Sequence, residues 1–133
     1  MKNKMEILSY TDNGWKVVTE SGEWRIGYLN YCDAFSKEQL NCYERHHDTD
    51  EVFVLLKGEA TLFIGDGDKE FGCVSAWKME LGKLYNIKKM AWHTQIMSPD
   101  CSILVIENRD TGLHNSDVVQ FGANFRKELI NAI

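Results

Sequence analysis

The chain has 133 residues, 44% of them hydrophobic and 26% charged, and carries a formal net charge of −5. That length suits a single domain, 1–133, which buries roughly two-thirds of the surface its unfolded chain exposes. The acidic balance, without a lysine or arginine cluster, excludes the electrostatic footprint of a nucleic-acid binder.

No stretch approaches the eighteen or so apolar residues that a membrane span requires, and the opening MKNKMEILSY lacks the apolar run of a secretory signal. No membrane partner is expected, and the setting expected is cytoplasmic. Cys32, Cys42, Cys73 and Cys101 are scattered, with no C-x-x-C pair, so they are expected to be reduced and mostly buried.

In chain order the pattern is strand after short strand. Trp15 to Glu20 and Glu23 to Asn30 flank a Ser21-Gly22 turn and predict a hairpin. A third strand is expected from about Gln39 to His46. Glu51 to Lys57 and Glu59 to Ile64 meet at Gly58, and a Gly65-Asp66-Gly67-Asp68 turn follows. Val74 to Met79, Leu84 to Ile87, His93 to Ser98 and Ile103 to Glu107 complete about nine strands, the pattern of an all-β sandwich or barrel. Ile106 to Val119 reads as a polar loop. Asn124 is placed to cap a final short helix in which Phe125, Leu129 and Ile130 share one face.

The chemistry concentrates in "NCYERHHDTDEVFVLLKG", Asn41 to Gly58. Imidazoles and a carboxylate at the lip of an apolar strand are the donors that divalent transition metals take. Residues two apart on a strand share a face. Continuing the Leu40 and Cys42 face gives Glu44 and His46, whereas His47 falls with Asn41, Tyr43 and Arg45 on the other.

This segment resembles the first signature of the cupin superfamily: histidine, one spacer, histidine, three or four spacers, glutamate, six spacers, glycine. Glu51 and Gly58 match its second half. Its first half fits in two registers, one with Glu44 and His46, the other with Arg45 and His47. Neither supplies the expected first histidine. The second signature is glycine, five spacers, proline, one spacer, glycine, two spacers, histidine, three spacers, asparagine. Gly82 and His93 match it, while Lys88, Met90 and Met97 stand at its proline, second-glycine and asparagine positions.

The resemblance implies an all-β double-stranded β-helix barrel with the short C-terminal helix appended, and a homodimer. It also implies a divalent metal ion on His46, Glu51 and His93, with Glu44 or His47 as further candidate ligands, acting on a small oxygen-rich molecule. The alternative is a barrel that binds a small molecule with no metal and no catalysis, because one fold hosts many unrelated activities. The aromatic residues Trp15, Trp24, Phe53, Phe63, Tyr85 and Trp92 are candidates to line the cavity.

Overall fold

Alternating apolar and polar residues, cut at short intervals by glycine and polar turns, build strands rather than helices over nearly the whole chain. The computed structural model describes residues 4–133. Among these residues the strands are β1 Gly14–Ser21, β2 Trp24–Asn30, β3 Cys42–His46, β4 Glu51–Lys57, β5 Ala60–Gly65, β6 Val74–Lys78, β7 Leu84–Ile87, β8 Trp92–Met97, β9 Ser102–Asn108 and β10 Ser116–Gln120. One α-helix, α1 Ala123–Asn131, ends the fold, and none of the described helices is long and apolar enough to cross a membrane.

Two five-stranded sheets, ordered β1-β2-β9-β4-β7 and β10-β3-β8-β5-β6, face each other as the halves of a barrel, all neighbours antiparallel. The two signature segments interlock: β4 pairs with β7, while β8 lies between β3 and β5. Leu29, Phe53, Leu55, Leu62, Met97, Ile103 and Val105 form a core between the sheets.

A second core lies outside the barrel. Tyr43, Phe63, Trp92 and Ile96, from the other face of β3, β5 and β8, pack with Leu40, Phe71 and Leu129 of α1. β8 is consequently buried at every position, reading WHTQIM, because one face fills the barrel and the other sits under the helix. Arg126 ties α1 down by donating from Nε to the Leu40 carbonyl at 2.7 Å.

At the end of β4 the chain reverses at Gly58, whose φ of +76° favours glycine. A Cβ there would meet the Cys101 Cα at 2.6 Å, so the close approach of the two chain segments also requires glycine. This turn closes one end of the barrel and leaves Glu51, at the start of β4, at the other.

Beyond shifts of a single residue at strand ends, three boundaries differ from the sequence reading. The expected polar loop contains η2 Leu113–Asn115 and then β10, paired residue for residue with β3 from Ser116↔His46 to Gln120↔Cys42. The helix starts before Asn124, with Gly122 rather than Asn124 at its N-cap. The third strand begins at Cys42, because the chain before it turns through η1 Asp33–Phe35. All four cysteines are free, but only Cys101 is buried, Cys32 and Cys42 are half-buried and Cys73 is exposed.

Candidate metal centre

Strand parity sets the site. On β3, Cys42, Glu44 and His46 line a cavity inside the barrel, and on β8 the partner of Glu44 across the ladder is His93. Glu51 enters from the start of β4. His46, Glu51, His93 and Glu44 therefore converge from three strands. His47 does not join them: it lies on the opposite face of the chain, where its Nε2 is 3.0 Å from Asp117. Tyr43, also on that face, is buried because α1 and its neighbours cover it.

The distances are short and the partners incomplete. His93 Nε2 stands 3.1 Å from Glu51 Oε1 and 3.8 Å from Glu44 Oε1. His46 Nε2 stands 3.4 Å from Glu51 Oε2 and 3.7 Å from Glu44 Oε1. His46 Nε2, His93 Nε2 and Glu51 Oε1 are nonetheless all buried without a hydrogen-bond partner.

The other ring nitrogens explain why. His93 Nδ1 is 3.0 Å from the Ala91 carbonyl oxygen, which can only accept, so Nδ1 carries a proton and Nε2 is aimed at Glu51. His46 Nδ1 lies 2.7 Å from the Ser116 hydroxyl, which fixes that ring with Nε2 inward. Unless a proton or a metal ion lies between them, lone pair faces lone pair at the centre, and each buried polar atom left unpaired costs roughly 1–3 kcal/mol. The arrangement asks for positive charge.

The proton equilibria express the same demand. Burial pushes the Glu51 carboxyl up, but contacts with His46 and His93 outweigh it and hold the group well below the usual carboxylate range. Burial depresses His93, while Glu51 and then Glu44 raise it to a net position above ordinary imidazole.

A further carboxylate, in neither signature, completes the cluster. Glu107, near the end of β9, is buried and paired through Oε2 with Arg25, at 2.7 Å from Nε and 2.5 Å from the second terminal nitrogen. Burial, followed by the neighbouring Glu51 carboxylate, pushes Glu107 up to about 8 against the opposing pull of Arg25. Parity could have found it: Ile103, Val105 and Glu107 share one face of β9, so a carboxylate continues an apolar, buried row.

Two sets of donors lie close enough to share an ion: Glu44, His46 and His93, and His46, Glu51 and Glu107, each with its donor atoms within 4.8 Å of one another. Bonds of about 2.0–2.2 Å to a common ion separate neighbouring donors by roughly 3–3.5 Å, close to the 3.4 Å from Glu51 Oε2 to His46 and the 3.1 Å from Glu51 Oε1 to His93. The residues present therefore fit a divalent transition metal in both donor chemistry and spacing.

The cluster lines a cavity of about 500 Å³. Its walls are mainly apolar, with Leu29, Phe35, Phe53 and Val105 around the donors. Of the aromatic candidates, Trp15 and Phe53 line it. Phe63 and Trp92 belong instead to the core under α1, Tyr85 packs on the core between the sheets, and Trp24 is exposed.

No protein-family model and no curated protein matches the sequence. Solved structures do match the fold. A cupin-2 domain containing protein from Shewanella frigidimarina aligns with a TM-score of 0.52 and 23% identity, over 75% of this chain and 85% of that one. A Streptomyces PAC13 variant, solved with uridine, aligns with a TM-score of 0.60 and 8% identity, over 93% and 98%. A double mutant of the QdtA 3,4-ketoisomerase from Thermoanaerobacterium thermosaccharolyticum, in complex with TDP, aligns with a TM-score of 0.56 and 15% identity, over 80% and 72%. The chain has the cupin fold.

Proposed function

We propose that this cupin-fold chain holds a divalent metal ion on His46, Glu51 and His93, with Glu44 beside them, and presents it to a small oxygen-rich molecule in the barrel cavity. The observation that carries the reading is that three buried, unpartnered atoms, His46 Nε2, His93 Nε2 and Glu51 Oε1, belong to residues lining one cavity, where Glu51 meets both imidazoles and Glu44 lies within 4.8 Å of their donors. A bound ion would supply Lewis acidity, polarising or deprotonating a ligand oxygen.

The chain's own residues do the rest. Ala91 O and Ser116 Oγ hold the two imidazoles with Nε2 inward, as the outer partners of metal-binding histidines do. Apolar walls exclude water around the donors, and a volume of about 500 Å³ suits one small molecule. Glu44 is partly open to the cavity, with its side chain 45% exposed, so it can accept a hydrogen bond or a proton from a ligand oxygen. The PAC13 and QdtA structures were solved with uridine and TDP, so ligands of this size class are reasonable first probes. The exposed sheet edges β1, β6, β7 and β10 support a homodimer formed by edge pairing, which a molar mass in solution near twice 15.3 kDa would bear out.

The test is metal analysis of protein purified without chelator, with titration of the stripped protein and of His93→Ala. Near-stoichiometric metal in the native chain, and binding weakened at least about a hundredfold in the variant, where losing even an outer partner costs 10–100-fold, support the proposal. Metal retained undiminished in the variant would overturn it. Thermal shifts with a panel of oxygen-rich metabolites, run with and without metal, then separate the metal-dependent site from metal-free binding.

A further inference from the structure

Glu107 is held where a merely structural carboxylate gains little. Its register partner on β2 is Arg25, and Val52↔Ile106 on the β4–β9 ladder brings it alongside Glu51. Arg25 grips Oε2 alone and is itself anchored by donating to the Thr111 carbonyl at 3.0 Å. Oε1 is left outside that ion pair. His46, Glu51 and Glu107 then offer three buried donors within 4.8 Å of one another.

A structural ion pair needs no second carboxylate beside it. Two carboxylates side by side in apolar surroundings repel unless a shared proton or a cation lies between them, and Arg25 approaches Glu107 only through Oε2. The two residues that cluster with Glu107, His46 and Glu51, each carry an unpartnered buried atom, Nε2 and Oε1. Glu44, by contrast, is half-exposed and stands 3.7 and 3.8 Å from the imidazoles.

We infer that Glu107 is a ligand of the ion bound at His46 and Glu51, with Arg25 as the positioning residue that holds Oε2 and so aims the other oxygen. The inference rests on the metal reading above and extends the ligand set to β9, beyond both sequence signatures.

Cobalt(II) titration of the metal-stripped full chain tests it, reading the dissociation constant by chelator competition and the visible absorption of the bound ion. Glu107→Gln should weaken binding tenfold or more and change the cobalt spectrum. Glu107→Asp keeps the charge and the pairing to Arg25 but withdraws the carboxylate by one methylene, so it should change the spectrum too. It carries the test alone if the Gln variant does not fold. Native affinity and spectrum in both variants would overturn the inference and leave the metal reading standing. So would an Asp variant with a native spectrum beside a Gln variant that is merely weaker, since that is a through-space charge effect. If the native chain takes up no cobalt, the metal reading itself fails and this inference with it.

Discussion

His46 and His47 are neighbours in sequence with opposite fates, and the contrast separates the proposed metal site from a polar edge. His47 is partly exposed and faces Asp117, which also accepts from Arg45 Nε at 2.8 Å. His47, Arg45 and Asp117 each have their complement. Arg45 further lies over the Trp92 ring, 4.1 Å from its centroid, an arrangement typically worth about 0.5–2 kcal/mol. His46 is buried, with a fixed outer nitrogen and an inner one that meets only other acceptors. One histidine completes a charge network, and the other leaves a network incomplete.

The largest expected effect breaks this comparison directly. His46→Ala removes a donor shared by both candidate ligand sets, so metal affinity should fall at least about a hundredfold, beyond the 10–100-fold that outer partners command. His47→Ala should leave the affinity within about twofold, because an exposed ion pair contributes roughly 0–1 kcal/mol and lies outside the cavity. Chelator competition on the two variants in parallel reads the difference. Equal losses in both would dissolve the distinction between the two faces.

A smaller effect sharpens it. Ser116, on β10, touches His46 Nδ1, so Ser116→Ala should loosen the ring without removing a donor and cost roughly tenfold in metal affinity. Ser116→Thr, which retains a hydroxyl, should restore most of it. Isothermal titration would check both, and an affinity unchanged in Ser116→Ala would show that packing alone fixes the imidazole.

The inner face was largely legible in the sequence, and the outer surroundings were not. β4 and β7 begin and end where expected, because Gly58 and the Gly82 turn punctuate strongly apolar runs. Parity placed Glu44 and His46 together because each strand alternates faces without exception over these few residues. Tyr43 blurred the contrast, since the outer face is not solvated: α1, some eighty residues later, folds over it, and no local pattern announces that cover.

β10 escaped for a similar reason. SDVVQ carries too few apolar residues to read as a strand, and its extended form is set by pairing with β3. Glu107 was read only as a strand end, although its parity with Ile103 and Val105 marks it as inward. Sequence shows which face a residue takes; the other strands that meet at that face emerge only when the barrel closes.

The smallest expected effect belongs to the satisfied side. Arg45, and then His47, hold the Asp117 carboxyl below the usual carboxylate range. A carboxylate with a depressed folded-state pKa binds fewer protons folded than unfolded, so it stabilises above its unfolded pKa and loses that contribution as pH falls through the folded one. Asp117→Asn lacks the contribution at every pH. The native chain should therefore melt slightly above the variant at neutral pH, with the gap closing as the solution is acidified below the ordinary carboxylate range. Metal affinity at neutral pH should be the same in both. A gap that persisted in strong acid, or a variant that bound metal less tightly, would mean that the outer network reaches the centre through β3 and that the two histidines are not independent.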